Sequence, residues 1–273
     1  LSKVSNKQYL LINLLEAPLL AFVLAYIVRY YNVSDTINPE YIFSKNPNIP
    51  AYLFMSIIVS LFMGLTVSAE EIIRDRKILK REAFLNLSSG SYLLSKISIL
   101  FVLSAIQTLC FVLVGNYILD IQGMTMAYWL VLFTTSCMAN LMGLKISSAF
   151  NSAVTIYILI PILLIPQLLL SGVVVRFDKL NPSLSSDSTV PFVGELMASR
   201  WALEGGIVHQ FKNNEYEKLF YTYDKIMADA DYMKVYYIPT IETKLEYCLN
   251  NFKNPDQETK VKLEASLDLL RTE

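Results

Sequence analysis

The stretch that decides the fold is Ala69–Lys96, AEEIIRDRKILKREAFLNLSSGSYLLSK. It packs acids and bases densely between two long apolar runs. Ala51–Ala69 before it carries no charge, and Tyr92–Leu119 after it has Lys96 as its sole charge. Runs of that length and composition are membrane spans. The connector between them holds Arg74, Arg76, Lys77, Lys80 and Arg81. A short basic connector stays on the cytoplasmic side, so this cluster sets the expected orientation. It is also a natural handle for a cytoplasmic motor.

Working outward, hydropathy predicts about five spans. They are roughly Tyr9–Tyr31, Ala51–Ala69, Tyr92–Leu119, Met124–Ala149 and Val154–Val175, the last broken by Pro161 and Pro166. The chain is 54% hydrophobic and only 17% charged, which places it with membrane proteins rather than soluble domains. The expected fold is an all-α polytopic membrane helical bundle. The other short connectors agree on orientation. Asn32–Pro50 holds Lys45 alone, Asp120–Gly123 holds no basic residue, and Lys145 flanks the turn at Ala149–Ser152. The N-terminus is then cytoplasmic and residues 176–273 extracytoplasmic, long translocated segments being exempt from the charge rule.

Three segments follow from this. Residues 1–175 form a transmembrane domain. Residues 176–211 open with a turn-rich stretch and continue into the half-apolar Pro191–Val208, read as a re-entrant or interfacial helix. Residues 212–273 form a polar helical segment. There Ile241, Leu245, Cys248 and Phe252 fall on one stripe of a helix opened by Pro239 and Thr240, and a further helix covers about Glu258–Leu270.

Several chemistries are excluded by what the residues lack. There is no G-x-x-x-x-G-K-[ST] phosphate loop and no G-x-G-x-x-G. His209 is the single histidine, which rules out a two-histidine metal site. Cys110, Cys137 and Cys248 are far apart, with no zinc spacing and no disulfide framework. No paired carboxylates or Ser–Lys pair in neighbouring spans suggest an intramembrane enzyme. A net charge of −1 argues against a nucleic-acid partner. No catalytic, cofactor-binding or metal residue is assigned.

Within the connector, Glu70–Glu82 is expected to be a helix along the membrane surface. Ile72, Leu79 and Ala83 line its buried side, with Ile73 and Ile78 on the flanks. At i,i+4, Glu70–Arg74 attracts and Glu71–Asp75 repels.

The chain resembles the membrane domain of type-2 ABC exporters, in particular the G-subfamily half-transporters and their bacterial relatives. The resembling residues are Arg76-x-x-x-x-Arg81-Glu82, then Gly90-Ser91-Tyr92 and Leu93-Leu94-Ser95-Lys96. A second block is Ile165-Pro166-Gln167-Leu168-Leu169-Leu170-Ser171-Gly172, and a third is Ser199-Arg200-Trp201-Ala202-Leu203-Glu204. The likeness covers roughly Tyr9–Gln210. It implies that residues 1–175 are a permease domain and that Glu70–Glu82 is the coupling helix touching an ATPase domain, with Glu71, Arg74, Arg76, Lys80, Arg81 and Glu82 its charged residues. It also implies an ABC ATPase domain, N-terminal in the same polypeptide, carrying ATP and Mg outside this segment. A second half-transporter would complete a homodimer in a bacterial inner membrane. The family has six spans per half, so a sixth is expected beyond Glu273 and the chain reads as a piece of a longer polypeptide. By that analogy the function is ATP-driven export of a lipid-like or amphiphilic substrate by alternating access. The large outer segment keeps a second reading open: a mechanotransmission or signalling protein acting through residues 212–273.

Polar residues inside spans cost energy in lipid and need a reason. Asn13, Glu16 and Arg29 fall in the first span, Gln107 and Thr108 in the third, and Thr134, Thr135, Ser136 and Asn140 in the fourth. Interhelical hydrogen bonds account for most of them. Glu16 either reaches water at the cytoplasmic interface or faces a partner helix or substrate path. Gln107, Asn140, Pro166 and Gln167 are the candidate elements of a transport pathway. Pro161 and Pro166 would leave carbonyls unpaired where protein or a cavity covers them. The tyrosines at Tyr216, Tyr221, Tyr223, Tyr232, Tyr236 and Tyr237 are expected to pack a small helical cap.

Overall fold

In the computed structural model, residues 7–30, 46–82, 88–175, 191–214 and 217–251 are described, and they are helical with short connections. Six helices build the first part: α1 (Lys7–Val28), α2 (Ile49–Ala69), α3 (Glu71–Glu82), α4 (Ser89–Leu119), α5 (Thr125–Ala149) and α6 (Ala153–Leu169). Then come α7 (Phe192–Glu195), α8 (Ala198–Asn213), α9 (Glu217–Tyr232), a π-helical turn (Met233–Tyr237) and α10 (Ile238–Asn251). Four of them, α1, α2, α4 and α5, are long and apolar enough to cross a membrane, and α6 is a shorter apolar helix. The polytopic all-α bundle is therefore as the hydropathy predicts.

Helix α2 is the centre of the bundle. It packs chiefly on α5 and also on α6 and α1, while α4 packs on α1 and α5. Its sequence explains this place. Ser60, Gly64 and Ser68 recur every four residues, so one face is a strip of small side chains that lets a neighbour approach closely. The neighbour is the α5 face carrying Ser136, Ala139 and Gly143. A Cβ added to Gly64 would lie 2.7 Å from the Ser136 carbonyl oxygen, and one on Gly143 would meet Ser68. The Ser60 hydroxyl donates to the Leu132 carbonyl at 2.6 Å across the same seam. Helix α1 uses alanines likewise: Ala17, Ala21 and Ala25 are fully buried, whereas Leu11, Leu15, Leu19 and Phe22 face outward.

The helix ends show how the sequence stops each span. Helix α1 ends at Val28, three residues before the predicted limit, because Asn46 and Asn48 both donate side-chain amides to the Val28 carbonyl. Pro50 sits at the start of α2, where its missing N–H costs nothing. Ser88 caps α4 by accepting from the Ser91 amide. At the other end of α4, Asp120 turns the chain with a left-handed φ of 52°.

Two expectations change. The prolines do not break the fifth apolar run: α6 continues through Pro161 and Pro166 to Leu169. Each proline forfeits one ladder bond, and the remaining bonds of the 17-residue helix continue past it. Likewise Pro239 does not open a helix. It lies inside a continuous helical stretch from Glu217 to Asn251, just after the π turn. The Ile238 amide there bonds the Met233 carbonyl, the wider spacing that accommodates a ring without an N–H.

By contacts the chain separates into two compact units, Leu1–Gln210 and Phe211–Glu273. In the second, Cys248 is buried but Leu245 is half exposed, so the predicted stripe is only partly covered. Tyr223, Tyr232 and Tyr236 are more than half exposed; Tyr232 stacks loosely with Tyr236 at 5.5 Å. The turn-rich stretch before Pro191, Ala83, Tyr216, Phe252 and the helix over 258–270 lie outside the described residues.

Candidate functional site

The charged connector folds as α3, twelve residues long, and its bonds to the bundle are more numerous than its charges alone suggest. Its most buried described residue is Glu71, at 3% exposure, not Ile72 or Leu79, which are half-buried. The reason is Lys96 on α4. Its ammonium lies 3.2 Å from Glu71 Oε2 and 2.5 Å from Asp75 Oδ2. The i,i+4 pair that repels by itself is therefore bridged by one cation. A buried carboxylate costs several kcal/mol unless it is paired, so Lys96 is what lets Glu71 lie there. Tyr92, one turn earlier on α4, donates to Asp75 Oδ2 at 3.2 Å. Arg74 pairs with Glu71 at 3.8 Å, an i,i+3 contact in place of the predicted Glu70–Arg74 pair. Glu70 instead accepts from the Tyr157 hydroxyl on α6 at 2.7 Å.

Helix lengths place these partners. At 31 residues α4 is about 46 Å long and overshoots a hydrocarbon core of about 30 Å. The overshoot carries Tyr92 and Lys96 up to α3. The C-terminal end of α5 overshoots in the same direction and supplies the second socket. Ser147 there is fully buried, and its hydroxyl oxygen accepts from the amides of Ile72 (3.0 Å) and Ile73 (3.2 Å). Those are first-turn amides of α3, which have no partner within their own helix. Arg76 donates to the Ser148 carbonyl at 2.8 Å, an orphan acceptor at the end of α5. So α3 is held by α4 through charge and by α5 through capping, while Tyr157 of α6 holds Glu70, the residue just before it. The six predicted coupling residues divide accordingly. Glu71 and Arg76 face the bundle. Arg74, Lys80 and Arg81 are exposed, with Ile78 among them. Glu82 ends the helix.

The four candidate pathway residues do not converge on one cavity. Gln107 is buried and donates to the Asn13 carbonyl on α1 at 2.8 Å. Asn140 donates to Ser104 at 2.7 Å, and Ser136 joins the same hydroxyl at 2.9 Å. Ser104 lies one turn before Gln107, so these two belong to one polar seam through α1, α4 and α5. Gln167 is elsewhere: its side chain accepts from the Ser199 amide at 3.0 Å and its carbonyl from the Ser199 hydroxyl at 2.7 Å. These bonds staple α6 to the start of α8. Pro166 is half-buried beside it. Glu16, on α1, is also half-buried. Arg200 lies 2.8 Å from Glu195 and 3.6 Å from Glu204, with its guanidinium 4.7 Å over Trp201.

Ser147, Ser148 and Tyr157 escape a reading of the sequence because nothing in their own neighbourhoods marks them. The one available signal is the small-residue spacing Ser136, Asn140, Gly143, Ser147 on α5, which points that face inward.

The profile of the ABC-2 type transporter family matches residues 1–205, three quarters of the chain and all of the spans. The chain belongs to the ABC-2 type transporter family. This makes it an integral-membrane permease component of an ABC transporter. The match ends within α8, so the helices after it are outside the ABC-2 region. Neither the curated proteins nor the solved structures contain a significant match.

Proposed function

We propose that this permease is half of an ATP-driven exporter, of the G-subfamily type, moving lipid-like or amphiphilic molecules. In this reading an ABC ATPase domain, N-terminal in the same polypeptide, binds ATP and Mg and presses on α3. A second copy completes the pathway. The N-terminus and α3 face the cytoplasm of a bacterial cell, and residues 176–273 lie outside its inner membrane. The observation that carries this reading is the division of α3 into two sides. One side is bonded to the spans α4 and α5, with Glu70 just before it held by Tyr157 of α6, whereas Arg74, Ile78 and Arg81, at spacings of four and three, are exposed. A helix held that way cannot move without moving the spans, and it keeps basic residues available to a motor.

The test follows from the same division. Lys80→Glu with Arg81→Glu changes exposed residues and leaves the sockets untouched. The expected outcome in proteoliposomes is normal insertion, retained ATP hydrolysis and loss of ATP-dependent movement of a fluorescent phospholipid. Unchanged coupling would overturn the role given to α3. The separate compact unit at 211–273 favours the second reading, mechanotransmission to an outer segment. In that case the unaltered protein would hydrolyse ATP yet move no lipid probe.

A further inference from the structure

A groove of about 380 Å³ opens on the outside of the bundle where α3, α4 and α5 meet. Its volume falls in the range of small-molecule sites, roughly 300–1,000 Å³. Its walls are graded. The deep end is apolar, with Met138 and Leu141 of α5; Ile97 of α4 packs at the level of Leu144, and Leu93 lies a turn nearer the α3 end. Leu93, Met138 and Leu141 are 42%, 45% and 36% exposed, so this wall faces outward. The end at α3 is polar, formed by Lys145 and Ser148. From Met138 to Ser148 the helix rises about 15 Å. Arg76 reaches the same polar end, since it donates to the Ser148 carbonyl at 2.8 Å. Lys145 is exposed, and no carboxylate among the described residues lies within ion-pair distance of it.

We propose that this groove binds an anionic membrane phospholipid. One acyl chain would lie along Ile97, Met138 and Leu141, and the phosphate would sit on Lys145 and Arg76. Three observations select this occupant. The groove is cut into two membrane spans, so lipid is its surrounding solvent. Its order, cationic at the membrane surface and apolar inward, is that of a lipid in a leaflet. The ammonium of Lys145 has no ion-pair partner among the described residues, and none of the residues lining the groove is the acid that a zwitterionic choline headgroup would need. Because Ile72 of α3 also lines the groove, a bound lipid would buttress α3. The site depends neither on the direction of transport nor on the molecule transported.

The full-length protein in phosphatidylcholine bilayers should be photolabelled by phosphatidylglycerol carrying a diazirine in its acyl chain. Cross-linked peptides are then mapped by mass spectrometry. Labelling is expected on the segments around Leu93–Ile97 and Met138–Leu141, and a diazirine phosphatidylcholine should label them less. Lys145→Ala should lower phosphatidylglycerol labelling about fivefold, the worth of one lysine at an anionic surface. Lys145→Arg should retain it, which separates loss of charge from loss of folding. Leu141→Trp, which fills the groove and keeps the lysine, should also abolish it. Equal labelling by the two lipids, or labelling indifferent to Lys145→Ala, would mean unselective boundary lipid and overturn the proposal. So would a Leu141→Cys variant that cross-links to a second copy or to the ATPase domain in place of lipid.

Discussion

Ser147 holds the start of α3 with one hydroxyl that accepts from two amides, Ile72 and Ile73. In effect it is an N-cap lent by another helix. Losing a cap costs about 1 kcal/mol, and here the amides left behind are partly buried. Ser147→Ala should therefore raise hydrogen exchange at Ile72 and Ile73 about fivefold, with little change elsewhere in α2 or α5. Unaltered protection at those two amides would mean that the serine contributes nothing to α3. Lys96 acts at the same scale but by charge. It converts a repulsive i,i+4 pair, Glu71 and Asp75, into the strongest attachment of the helix. The charges of α3 are plain in the sequence. Their allegiance is not, because Lys96 is twenty-five residues away from Glu71 and belongs to a different helix.

Among the elements, the α2–α5 seam is where backbone approach matters most. Gly64 is pressed against the Ser136 carbonyl and Ala139, whereas Gly205 on α8 has nothing within 4 Å of an added Cβ. Overpacking of a close seam costs roughly 1–3 kcal/mol, while alanine at an uncrowded helical glycine gains about 0.4–1 kcal/mol. Gly64→Ala should lower the thermal midpoint of the detergent-solubilised protein, and Gly205→Ala should hold or raise it. The reverse order would show that α2 and α5 are not in direct backbone contact. Most span limits were readable from hydropathy to within a few residues. The exceptions have physical causes. Helix α1 stops early because Asn46 and Asn48 cap it from the far side of a connector, and α6 and α10 run through their prolines.

For the whole molecule, the proposed orientation has α3 and residues 176–273 on opposite sides of the membrane, as the charge of the short connectors predicts. Single-cysteine variants Arg81→Cys and Asp224→Cys, with Cys110, Cys137 and Cys248 changed to alanine, test this. A membrane-impermeant maleimide should label Asp224→Cys in intact cells and Arg81→Cys only after permeabilisation. Labelling of both from one side would invert the assignment of either the connector or the outer segment.

Hydropathy, charge placement and a few family-like blocks were enough to identify an all-α membrane bundle with a basic surface helix after its second span. Those are properties of local composition, and a bilayer reads composition directly. Only the tertiary structure decided which charges of α3 face the bundle and which are exposed, that Ser147 caps it, and that Gln107 and Asn140 share a seam while Gln167 does not. Each of these depends on residues that are distant in the chain and brought together by helix length and packing. No periodicity within a single helix records such a meeting.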